Sequence, residues 1–120
     1  MNFSQLVPGV FYINILDGLK LFVDCLEFTI VHEDLKASQP YCVLEKEGIR
    51  IMVFQDEKLA KEHNPELRLV TNNIDEVYEK IAGSFPYLLH PNLNKVTLRP
   101  WGAKEFAIAD NQLGIRFQQW

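Results

Sequence analysis

The stretch RPWGAKEFAIAD, residues 99–110, fixes a tryptophan between Pro100 and Gly102, in a stiff and sharply bent piece of backbone. A ring held in this way either plugs the protein's own core or waits for a flat molecule to stack on it. Three arginines offer a second kind of chemistry. Arg50 and Arg116 occur in the matching tetrads GIRI (48–51) and GIRF (114–117), and Arg68 lies in ELRLVT (66–71). Strand alternation puts Arg50, Met52 and Phe54, with Arg116, Gln118 and Trp120, on one concave face, and Glu66, Arg68 and Val70 share that side. Guanidinium groups bind carboxylate or phosphate bidentately and stack on rings, and flat apolar walls with a few fixed polar groups suit a small-molecule pocket. The alternative is that these side chains fill the concavity themselves, each arginine paired with a neighbouring glutamate.

Metal and thiol chemistry find less support. A catalytic metal needs about three nitrogen or oxygen donors and an open position. His32 ends a strand beside Glu33 and Asp34, His63 lies in a charged connector, and His90 precedes Pro91 in a loop. His32 and His63 read as solvated residues, and His90 as a loop residue whose functional role stays open. Cys25 and Cys42 lack CxxC spacing and are expected as free, buried thiols in a reducing cytoplasm. The net charge of -4 and the dispersed basic residues argue against a nucleic-acid surface. No stretch approaches the roughly 18 apolar residues of a membrane span, and no signal peptide precedes the first strand. A single domain of 120 residues is expected.

The elements that position these residues follow from periodicity. LVPGVFYI predicts a strand, with Asn14 as N-cap of a helix whose stripe is Ile15, Leu19, Phe22, Val23 and Leu26. EFTIV predicts a strand, HEDLKASQP a polar loop, and YCVLEKEGIRIMVF a hairpin turning at Glu47 and Gly48. QDEKLAKEHNP is a partly helical charged connector. The programme then restarts: ELRLVT is a strand and Asn73 an N-cap. Ile74, Val77, Tyr78 and Ile81 form a helical stripe, with Gly83 as its stop. Short strands follow around YLLH or NKVTL, in KEFAIAD and in GIRFQQW. The repeated order, cap residue and closing tetrad predict a tandem βαβββ duplication, with modules at about 1–56 and 65–120. The fold class is α+β, a curved mixed sheet with helices on its outer face. Ile49, Ile51, Val53, Ile115 and Phe117 face the helices. Phe11, Met52, Phe54 and Trp120, with Arg50, Arg68 and Arg116, face the concave side.

This duplicated pattern, with PWGAKEFAIAD and GIRF, resembles the glyoxalase/bleomycin resistance/dioxygenase (vicinal oxygen chelate) superfamily, and within it the bleomycin resistance proteins. LVPGVFYIN and LRLVTNNIDEVYEKI resemble the family's opening strand and mid-chain strand and helix. The resemblance implies one of two modes: a divalent metal held by His, Gln and Glu in lyases, isomerases and dioxygenases, or metal-free drug sequestration in a dimer groove. It places the metal-ligand positions at Val7 or Pro8, at Glu66, at Arg50 or Met52, and at Arg116. Of these only Glu66 could ligate. It therefore implies a non-enzymatic, cytoplasmic homodimer without cofactor, holding a planar or anionic ligand. The enzyme with an atypical ligand set including Glu66 is the alternative. Trp101 is expected to line the groove, and Glu105 to pin the turn or pair with an arginine. Asp110 and Asn111 form the turn into the last strand, DNQLG, one residue shorter than the family's form. Arg68 and Val70 stand where drug-binding relatives tend to carry tryptophans, which points to a ligand smaller or more anionic than bleomycin.

Overall fold

Alternating side chains in the Glu47–Gly48 hairpin organise the first half of the chain, and the same device recurs in the second. The computed structural model describes all residues, Met1–Trp120. They divide into two compact units, Met1–His63 and Asn64–Trp120. The first holds β1 (Gly9–Tyr12), α1 (Ile15–Leu19), β2 (Thr29–Asp34), β3 (Tyr41–Lys46), β4 (Ile49–Gln55) and α2 (Glu57–Glu62). The second holds β5 (Glu66–Val70), α3 (Ile74–Ser84), β6 (Thr97–Leu98), β7 (Lys104–Ala109) and β8 (Gly114–Gln119). Each unit forms an open four-stranded mixed sheet, in the orders β1-β4-β3-β2 and β5-β8-β7-β6. In each, the first strand runs parallel to the closing strand and the other pairings are antiparallel. The fold is thus two βαβββ modules of the same topology.

In each closing strand the parity is as the alternation requires. Ile51, Val53, Ile115 and Phe117 are buried, while Arg50, Met52, Phe54 and Arg116 stay partly open. In the first unit Phe22 packs edge-on against Phe28, with ring centroids 5.8 Å apart. In the second, Phe106 stacks on Phe117 at 4.6 Å and meets Tyr78 edge-on at 5.1 Å. Gly18 lets α1 close on its sheet, because a Cβ there would lie 2.8 Å from Tyr12 and Val53. Burial of each large side chain stabilises the fold by about 1.5–3 kcal/mol.

Several local features differ from the sequence reading, each for a physical reason. Beyond Leu19 the helix widens into a π-helical stretch, Lys20–Cys25. The extra residue per turn rotates the buried stripe to Ile15, Gly18, Leu21, Phe22, Cys25 and Leu26, leaving Leu19 and Val23 half-buried. β2 continues through His32 and Glu33 to Asp34, with a register shift between Ile30 and His32. As an edge strand exposed along its whole length it needs no apolar alternation. α3 runs through Gly83 and ends at Ser84, because Phe85 precedes Pro86 and takes φ -133° and ψ 49° outside the helical region. The NKVTL strand is only two residues long, and Leu89 adds an isolated bridge to Ile108. Trp120 lies one residue past the end of β8.

Helix starts are fastened in a way the sequence did not announce. Asn14 accepts the Leu16 N–H at 3.0 Å, as expected of an N-cap. Asn73 does not cap with its side chain; it is held by the Thr71 hydroxyl at 2.6 Å and donates to Glu76 at 3.1 Å. The orphan N–H at the start of each helix is taken instead by a glutamine ending the closing strand. Ile15 N–H donates to Gln55 Oε1 at 3.1 Å, and Ile74 N–H to Gln119 Oε1 at 2.8 Å. No helix is long and apolar enough to cross a membrane. Replacing either glutamine by Ala is expected to cost about 1 kcal/mol in urea unfolding. Phe106→Ala should cost about 3–5 kcal/mol by the same measurement.

Candidate functional site

The Pro-Trp-Gly turn closes on itself before it presents anything. Gly102 N–H donates to the Arg99 carbonyl at 2.9 Å and Arg99 N–H to the Ala103 carbonyl at 2.8 Å, with Gly102 at φ +98°. At this corner Trp101 is 49% exposed, yet its ring is fixed. The indole Nε1–H donates to Glu105 Oε2 at 2.8 Å, and the Arg99 guanidinium lies 4.9 Å from the ring centroid.

Glu105 is the anchor of this arrangement. It starts along β7 with no exposed surface. Register pairs it with Gln118 on β8, whose Nε2 donates to Oε2 at 2.7 Å. Arg116 Nη1 donates to Oε1 at 3.3 Å. Burial pushes the Glu105 carboxyl up. The hydrogen bonds from Gln118 and Trp101 and the charges of Arg116 and Arg99 outweigh it, so the group sits below the ordinary glutamate value. The sequence expectation that Glu105 pins the turn or pairs with an arginine holds on both counts.

From Arg116 the ion pairs continue outward. Its Nε lies 3.5 Å from Glu66 Oε1, and the same oxygen meets Arg68 Nη2 at 3.1 Å. Beside these groups the second unit has a cavity of about 420 Å³, whose polar wall includes Glu66, His90, Asn92, Arg99, Asp110 and Arg116. His90, whose role the sequence left open, is half-exposed and lines this cavity. Arg99 was not singled out at all. The signal available was its place directly before Pro-Trp-Gly, where a four-residue turn folds it back toward the indole.

The eight expected binding residues fall into two groups. Trp101, Arg68, Arg116 and Trp120 belong to the second unit, and Trp120 is 70% exposed. Phe11, Arg50, Met52 and Phe54 belong to the first. There Phe11 and Phe54 are register partners on β1 and β4 and stack at 5.5 Å. Tyr41 lies 6.4 Å from Phe54, and its hydroxyl is 3.0 Å from His32 Nε2. His63 tilts against Phe11 at 6.4 Å. Met52 lies opposite Val43, and Arg50 is bound by Glu45 across the β3–β4 hairpin. Arg50, Arg68 and Arg116 therefore each pair with a glutamate, which is the filling alternative in its simplest form.

Solved structures of the same fold cover nearly the whole chain. A bleomycin-binding protein complexed with bleomycin is 19% identical, covering 98% of this chain and 99% of its own, with a TM-score of 0.72. TnmS3, an antibiotic binding protein from Streptomyces sp. CB03234, is 12% identical over 99% and 98%, with a TM-score of 0.76. A glyoxalase/bleomycin resistance protein/dioxygenase superfamily member from Sphaerobacter thermophilus DSM 20745 is 15% identical over 98% of both chains, with a TM-score of 0.72. The fold is that of the glyoxalase/bleomycin resistance/dioxygenase superfamily. No protein-family model and no curated protein matches the sequence itself.

The metal ligands that the sequence resemblance implied are poorly provided for by the side chains at those positions. Glu66, the single candidate ligand, is already held by Arg68 and Arg116. Arg116 brings a fixed cation to another ligand position. Nowhere do three His, Cys, Asp or Glu side chains gather as a metal set would. The thiols offer no nucleophile: burial, then Glu27, pushes Cys25 up to about 11, and burial, then Glu33, raises Cys42.

A depressed carboxylate stabilises the folded state above its ordinary value and loses that contribution as pH falls through the folded one. Stability should therefore rise with pH up to about 4.3, the ordinary glutamate value. Glu105→Gln should flatten that part of the profile in urea titrations across pH 2.5–5 (a window on the order of the carboxylate range). It should also cost about 1.5–3 kcal/mol at neutral pH.

Proposed function

We propose that this chain binds a small planar or anionic molecule of antibiotic type without chemically changing it. The ligand lies in a groove completed by a second copy of the chain. No metal or cofactor takes part, and the protein acts in the cytoplasm, with neither nucleic acid nor membrane as partner. The observation that carries this reading is Trp101: half its surface faces solvent while a buried carboxylate and a stacked guanidinium hold the ring in place. Such preorganisation lowers the entropy lost on stacking a ligand. Two neighbours of the same fold are described as binding bleomycin or an antibiotic, which supports the class of ligand. Trp120, Val70 and Leu98 add exposed apolar surface to the second unit, as a shared groove requires.

Tryptophan fluorescence titrated with bleomycin and with small aromatic acids tests this. Quenching is expected, with Trp101→Ala weakening binding roughly tenfold, or about 1.4 kcal/mol. Light scattering should give the mass of a dimer, and a monomer would remove the shared groove. Stoichiometric divalent metal that switched on turnover would replace sequestration with catalysis.

A further inference from the structure

Of the four arginines, three are neutralised by glutamates and one is not. Arg99 makes no ion pair, and its Nε is buried without a hydrogen-bond acceptor. A buried donor left unmade destabilises by about 1–3 kcal/mol, so an unsatisfied guanidinium on a cavity wall points to an acceptor brought from outside. We infer that Arg99 receives an anionic group of the ligand, a carboxylate or a phosphate, at the wall of the cavity in the second unit, while the ligand's planar part stacks near Trp101. This rests on the binding function proposed above and adds the ligand's charge and the residue that reads it.

Arg116 on the same wall also has a buried Nε without a hydrogen bond, but its charge is met by Glu66 and Glu105, and the carboxylates on the wall are already engaged. Glu66 is shared by Arg68 and Arg116. Asp110 Oδ1 accepts the backbone N–H groups of Gln112 and Leu113 at 2.8 and 2.9 Å. The charge of Glu105 acts on Arg99, but its two oxygens are engaged by Trp101, Gln118 and Arg116. The guanidinium lies over the Trp101 ring, and its Nε–H, on the edge that binds planar anions bidentately, has no hydrogen-bond acceptor. His90 lines the same cavity and accepts the Asn92 N–H on Nδ1 at 3.1 Å. The proton of the neutral ring therefore sits on Nε2, a second donor on the same wall. A volume of about 420 Å³ suits a ligand of modest size.

The test uses the full-length chain labelled with nitrogen-15, its Arg99 Nε–H resonance assigned by its loss in Arg99→Gln. Sodium benzoate, benzamide and sodium phosphate are titrated separately, with Trp101 fluorescence read in the same samples. Benzoate should shift the Arg99 resonance and bind at least about tenfold more tightly than benzamide. Arg99→Gln should abolish that difference, and Arg99→Lys, which keeps charge but not the bidentate edge, should reduce it. A phosphate response equal to that of benzoate would support the anion site and make phosphate its natural group. Equal binding of benzoate and benzamide would overturn the role of Arg99 while leaving the groove standing. An Arg99 resonance unmoved by either anion would overturn it too, and continued quenching by bleomycin or aromatic acids would then show that the groove reading survives alone.

Discussion

A single buried carboxylate holds the second half of this protein in shape. Glu105 has no contact with water, so its charge must be satisfied from within, and three donors from two places in the sequence do so. Trp101 comes from the turn, Arg116 and Gln118 from β8. Because the donors are satisfied only in one geometry, the turn, the closing strand and the exposed ring are positioned together. The ion pairs beyond Arg116 extend that order to β5 through Glu66 and Arg68. A cluster of this kind defines a conformation even where its net contribution to stability is small.

The two modules use their open faces differently. In the first, Phe11, Phe54 and Tyr41 associate with one another, and Arg50 is closed off by Glu45. In the second, polar groups dominate, a cavity opens beside them, and an aromatic ring is held outward. Topology is duplicated while side-chain chemistry is not. In the closing strand of the second module, Arg116 lies between Glu66 and the buried Glu105, so its charge is matched within that module.

What the sequence revealed was chiefly what is local. Glu47 and Gly48 announce their hairpin because both adopt positive φ in a two-residue turn. Asn14 announces its helix because an N-cap acts within two residues. The PWGAKEFAIAD stretch was legible as a turn and a strand, and the role of Glu105 could be anticipated from its place at the strand start and the resemblance of that stretch to the family's signature. Long-range pairings were not legible. Gln55 and Gln119 reach helix starts some 40 residues away in sequence, and nothing in a strand-end glutamine reports that. The π-helical stretch rotated a stripe that ideal helical spacing put elsewhere. Arg50, Arg68 and Arg116 were correctly placed on strands, but alternation reports only which face a side chain takes. It cannot show that each finds a glutamate there while Arg99, in a turn without periodicity, does not.

The two glutamine fastenings have a bearing on how such a chain can change over generations. Each module ties the last residue of its closing strand to the first peptide of its own helix, a fastening made wholly within that module. Substitutions on one open face leave those ties intact.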